Sequence, residues 1–202
     1  MKKQYWVNIV IIIFSLFAFI GCKTLPDENQ ITNAAIDLAE AKLSQGQLKQ
    51  AITVYTNALQ QVDNEKLYYN KLLLLIEDKN YEEADILATI AFQKYPTFLK
   101  FLKARIQIYL EQKEYDKALE IADQILNISP FDDDAITTIL QIFKELDRNQ
   151  ELFNRAKSFY EMGYINNEIL TILSQNDSAY EGIKTYYLEK ENSDSGSDTN
   201  PD

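Results

Sequence analysis

One motif returns at a fixed interval in the middle of this 202-residue chain. Tyr81, Ala84, Ala88 and Pro96 reappear as Tyr115, Ala118, Ala122 and Pro130, each pair 34 residues apart. The segments around them, Lys79–Pro96 and Lys113–Pro130, are near copies. A period of this size marks stacked units, each unable to bury its apolar face until a neighbour covers it. Weaker copies flank the pair. Upstream, Gly46 is followed by Ala51, Tyr55, Ala58 and Leu59; downstream stand Asn149, Leu152, Ala156 and Phe159. Apolar residues recur at helical spacing throughout. Five Gly and four Pro are too few turn residues for a sandwich or barrel. The expected fold is all-α: an antiparallel helix-pair solenoid with repeats at 31–64, 65–98, 99–132 and 133–166, closed by capping helices at 167–190.

Particular residues carry this expectation. Small side chains at Ala51, Ala84 and Ala118 let two antiparallel helices approach closely. Tyr81 and Tyr115 are expected to cover the short turn inside each pair. Pro96 and Pro130 cannot continue the preceding helix and are expected in the first turn of the next. The fourth repeat departs most, with Leu152 where Ala belongs and Tyr164 where Pro belongs, so a distorted pair is expected there. Asp132, Asp133 and Asp134 read as carboxylates at a helix start, where free N–H groups favour them. A metal site is disfavoured because adjacent helical side chains diverge and no other ligand cluster accompanies them. Near the C-terminus, Tyr180, Ile183 and Tyr187 mark a last helix that caps the stack; the alternative is that its aromatic face docks a partner. Residues 191–202 have nothing apolar to bury and read as a disordered acidic tail.

Charge and composition narrow the function. The chain has 31 Asp and Glu against 20 Lys and Arg. That balance argues against nucleic acid, whose phosphates need many cations, and against broad adsorption to anionic lipid. There is no His, which removes the commonest general base and metal ligand. Cys22 is the only Cys, so no intramolecular disulfide forms. No Gly-rich phosphate loop is present. Together these features point away from an enzyme and away from a cofactor.

The first residues carry an address. Lys2 and Lys3 precede an apolar run from Val7 to Ile20, broken by Asn8 and Ser15. The run falls short of the about 20 residues needed to span a bilayer and suits a signal-peptide core. Phe19-Ile20-Gly21-Cys22 then resembles the lipobox of bacterial lipoproteins, with Phe19 in place of the usual Leu. The resemblance implies that residues 1–21 are removed, that Cys22 carries covalent lipid, and that the mature chain is exported and anchored at the cell or outer membrane. Several acyl chains hold far more firmly than one. Residues 22–30 are expected to be a short flexible tether.

Taken together, the repeats resemble the tetratricopeptide repeat family: a helix, a tight turn, a second helix opening with aromatic-x-x-Ala, and Pro at the exit. In that family the first helix of each repeat lines a concave binding face. The resemblance carries this role to Asn33, Ile36 and Glu40 in the first repeat, to Lys66, Tyr69 and Leu73 in the second, to Lys100, Lys103 and Gln107 in the third, and to Thr137, Gln141 and Lys144 in the fourth. One subfamily clamps a chaperone's terminal carboxylate; Asn70 and Lys100 fit that pattern, whereas Ile36, Glu40 and Ala104 do not. Four Lys on one face of an acidic protein could attract an acidic envelope protein or peptide; the alternative is that they solvate the surface. The implied function is a membrane-anchored interaction scaffold. The alternative from another class is capture of a small ligand for a solute transporter, in a pocket lined by aromatic and Lys residues.

Overall fold

The computed structural model describes residues 26–195, with side chains through residue 190. Among these residues ten α-helices follow one another: α1 (Glu28–Leu43), α2 (Leu48–Leu59), α3 (Glu65–Glu77), α4 (Tyr81–Lys94), α5 (Lys100–Glu111), α6 (Tyr115–Ile128), α7 (Asp133–Glu145), α8 (Asn149–Glu161), α9 (Asn167–Asn176) and α10 (Glu181–Ser195). A short 3-10 turn, Ser178–Tyr180, precedes α10. No strand occurs among the described residues, and none of their helices is long and apolar enough to cross a membrane. The described residues up to Leu67 form one compact unit and those from Tyr68 a second. In the first, α1 packs on α2. In the second, from α4 onward, each helix packs on the next, which is the serial pairing that the 34-residue period requires.

Repetition of sequence produces repetition of backbone. The turn inside each pair closes on one left-handed residue: Gly46, Lys79, Lys113 and Asp147, with φ of 70°, 57°, 58° and 53°. After each of them the next N–H reaches back to a carbonyl of the first helix. Gln47 donates to Lys42, Asn80 to Leu75, Glu114 to Tyr109 and Arg148 to Phe143, at 2.8–2.9 Å. This Schellman closure satisfies carbonyls that would otherwise be orphaned and reverses the chain within a residue or two. Tight reversal brings the second helix back along the first, and Ala at the crossing lets it close in. Ala51, Ala84, Ala88, Ala118 and Ala122 are fully buried. Leu152, where a small residue was expected, is also buried, at 7% exposure, and the same closure precedes it.

Helix starts follow the period as well. Asn64, Asp132 and Asn166 are spaced by multiples of the 34-residue period. Asn64 accepts from the N–H of Lys66, Asp132 from Ala135 and Asn166 from Ile169, at 2.9, 3.1 and 2.9 Å. Each satisfies a donor that the helix itself cannot. Asp132 therefore fulfils the capping role read from the Asp triplet.

Three boundaries differ from the sequence reading. The helical part begins at Glu28, not Ile31, because Asp27 and Gln30 form a reciprocal capping box that draws the end of the expected tether into α1. Pro96 and Pro130 do not open the next helix. They occupy the second position of turns closed by Phe98 N–H to Tyr95 carbonyl (3.0 Å) and Asp132 N–H to Ser129 carbonyl (3.1 Å), where a fixed φ is favourable. At the other end α10 runs to Ser195, past residue 190 where regular structure was expected to stop. The remainder of the expected tail, residues 196–202, lies outside the described residues, as does the leader with Cys22.

One polar network lies partly buried between α4 and α5 in the second unit. Arg105 on α5 donates to Asp85 on α4 at 2.6 Å and to the Tyr109 hydroxyl at 3.0 Å; that hydroxyl lies 3.0 Å from the second Asp85 oxygen. Burial opposes the Arg105 charge, but Asp85 and Tyr109 outweigh it and raise the guanidinium pKa further.

Candidate functional site: the face of the first helices

In the second unit, the first helices of successive repeats are stitched to one another along one side. The Lys100 ammonium on α5 sits 5.5 Å from the centre of the Tyr69 ring on α3. Lys103 on α5 bonds Asp134, at the start of α7, at 2.7 Å. Lys144 on α7 pairs with Glu168, at the start of α9, at 2.5 Å. These contacts run α3–α5–α7–α9 and use the residues that sequence placed on one surface. Leu73, Lys100, Gln107, Gln141 and Lys144 are exposed, and Tyr69 and Lys103 are half-buried. The second helices have their own stitches: Arg148 and Arg155, at and within α8, pair with Asp116 and Asp123 on α6. In the first unit, Lys66 is exposed at the start of α3 beside its Asn64 cap.

The electrostatics of this face differ from a row of free cations. Burial works against the Lys103 charge, but Asp134 and Asp132, at 2.7 and 2.9 Å, outweigh it and hold the ammonium above its usual pKa. Lys144 is matched by Glu168. Lys100 has no carboxylate partner among the described residues. It lies instead over two rings, Tyr69 at 5.5 Å and Phe98 at 5.6 Å, where the negative π-faces attract it.

Those rings belong to a larger cluster. Tyr69 meets Phe98 edge-on at 5.6 Å and Phe101 at 6.2 Å; Phe98 and Phe101 lie 5.0 Å apart. Phe101 is completely buried and roots the cluster in the core, whereas Tyr69 and Phe98 keep part of their surface in solvent. Leu73, one helical turn beyond Tyr69, is 39% exposed. Sequence reasoning placed Tyr69, Leu73 and Lys100 on this face and missed Phe98. A signal for it was present: Phe98 stands at the 34-residue step between Asn64 and Asp132. Accordingly α5 starts without a side-chain cap.

Farther along, Phe131 stacks on Tyr164 at 6.3 Å with the rings 13° apart. Burial, together with a hydrogen bond to Asp133, pushes the Tyr164 hydroxyl up to about 12. In the first unit an apolar groove of about 330 Å3 runs between α1 and α2, lined by Ile31, Leu38, Val54 and Ala58 among others. Its lining contains none of the Lys or aromatic residues that the small-ligand alternative calls for.

Serial antiparallel helix pairs with these recurrent turns and caps define the chain as an all-α helix-repeat solenoid. The solved structures it is similar to narrow this to the tetratricopeptide-repeat fold. A MamA crystal structure superposes with a TM-score of 0.56 at 12% identity, covering 86% of this chain and 99% of that one. A tetratricopeptide repeat protein from Parabacteroides merdae gives 0.55 at 18% identity, covering 99% and 78%. MamA from Desulfovibrio magneticus RS-1 gives 0.53 at 10% identity, covering 84% and 98%. No protein-family model and no curated protein matches the sequence.

Proposed function

We propose that this chain is a lipid-anchored scaffold of the bacterial cell envelope, which holds a partner protein or peptide on the first-helix face of its repeats and performs no catalysis itself. The observation that carries the binding reading is the stitched surface of α3, α5 and α7. It is held in one geometry by cross-repeat contacts, yet it leaves Leu73, Lys100, Gln107 and Gln141 open. Rigid elements presenting unsatisfied apolar and amide groups favour recognition over self-burial. The address rests on the leader and on Cys22. Lipid there, a few residues before α1, keeps the repeats beside the membrane.

Two measurements test this reading. Mass spectrometry of the mature chain should find a new N-terminus at Cys22 carrying diacylglycerol, and Cys22→Ala should move the chain from the membrane to the soluble fraction. An unmodified Cys22 sinks the address. A photo-reactive amino acid at Gln107 or Gln141, introduced into the full chain in cells, should give discrete adducts with an envelope protein. The same group at Glu120, exposed on the second helix α6, should not. Equal labelling from Glu120 and Gln107 sinks the face.

A further inference from the structure

The start of α5 breaks a local rule that its counterparts keep. At 34-residue steps the chain has Asn64, Phe98, Asp132 and Asn166. Three are side-chain caps; the fourth is an aromatic ring one residue before Leu99, the N-cap of α5, which has no side-chain cap bond. Giving up a cap weakens a helix start, so a residue that does so at one repeat alone marks a site where another demand outweighs local stability. Phe98 lies against Tyr69 and leaves part of its ring in water, under the one second-unit Lys of the predicted set that no carboxylate neutralises. On this face Lys103 and Lys144 are occupied by Asp132, Asp134 and Glu168. Among the second unit's lysines of the predicted set, free positive charge is thus left at Lys100, directly beside exposed apolar surface.

Resting on the scaffold reading above, we propose that Tyr69, Leu73, Phe98 and Lys100 form the anchor of the binding face. This anchor takes a bulky apolar side chain, Leu or an aromatic, from an extended segment of the partner protein, with a carboxylate of that segment within two residues meeting Lys100. Aromatic and aliphatic walls supply the buried area, and Lys100 supplies the charge complementarity that fixes direction. The rest of the face contributes shape and amide hydrogen bonds from Gln107 and Gln141.

The test uses the full lipidated chain in nanodiscs, panned with a random linear-peptide phage library. Enriched peptides should carry Leu, Phe, Tyr or Trp within two residues of Asp or Glu. Synthetic versions should lose about tenfold in affinity with Phe98→Asn or Lys100→Gln and less than about twofold with Lys144→Gln. Phe98→Asn removes the ring one residue before the Leu99 N-cap, and its melting temperature reports whether the fold survives; Lys100→Gln alters only an exposed side chain and keeps the test valid if Phe98→Asn misfolds. The proposal is overturned if enriched peptides are acidic without an apolar residue. It is also overturned if binding survives both substitutions, if nothing enriches over empty nanodiscs, or if N-acetylphenylalanine binds as tightly as the best peptide. Adducts from Gln107 that persist unchanged in Lys100→Gln would reject the anchor and leave the scaffold standing. Loss of adducts from both Gln107 and Gln141 in the unsubstituted chain would reject the scaffold itself.

Discussion

A single left-handed residue decides each hairpin of helices, and the chain fills that position in two ways. Gly46 is at φ 70° with open space around a notional Cβ, so Gly46→Ala meets only the backbone penalty, about 1 kcal/mol. Lys113, at φ 58°, already bears that penalty. Lys113→Gly should therefore raise stability by up to about 1 kcal/mol, less whatever Gly gains in the unfolded chain. Urea midpoints moving in opposite directions for the two variants would verify this; a loss in both would contradict it. Tyr164 gives a pH signature. Its folded pKa of about 12 lies above the ordinary value of about 10, so the folded state holds this proton more tightly. The associated stability is complete below about pH 10 and disappears as pH climbs to about 12. Urea midpoints across that window should fall more steeply for the parent than for Tyr164→Phe, and matching slopes would exclude the effect. The left-handed positions were legible only at Gly46, since Lys and Asp are common in loops and helices alike and do not announce a positive φ.

At the scale of helices, the sequence resolved what repeats and missed what is local. Ala84 and Ala118 forecast close crossings because small residues at fixed spacing have few other uses. The start of α1 was missed because a capping box is a reciprocal geometry between Asp27 and Gln30, and the Pro26 beside it reads as linker. Pro96 and Pro130 were read as helix openers, yet three residues separate Pro96 and two separate Pro130 from the next helix, and a β-turn takes up that gap. The polar triad between α4 and α5 was unreadable, since Asp85 and Arg105 occupy ordinary surface-type positions until packing encloses them. It is also a point of vulnerability. Asp85→Ala leaves the Arg105 guanidinium without its carboxylate in a largely enclosed site, 17% exposed, and should cost about 2 kcal/mol. Chemical denaturation measures this directly, and a neutral result would mean that solvent reaches the site freely. The charge of the face was likewise hidden. Counting Lys in sequence gave four cations; only the fold shows that Lys103 and Lys144 meet carboxylates brought in by the next repeat.

For the whole molecule, the period in the sequence was enough to state the class of fold, while it was the family resemblance that assigned Tyr69, Leu73, Lys100, Lys103, Gln107, Gln141 and Lys144 to one face. What it could not supply was the weighting among them, which depends on the neighbours each side chain acquires. The account's central claim is that the first helices bind and the second helices support. Hydrogen–deuterium exchange on the full lipidated chain, with and without its cross-linking partner, tests that claim most directly. Protection should rise in residues 65–77, 100–111 and 133–145 and stay level in 81–94 and 115–128; protection confined to the second helices would contradict it.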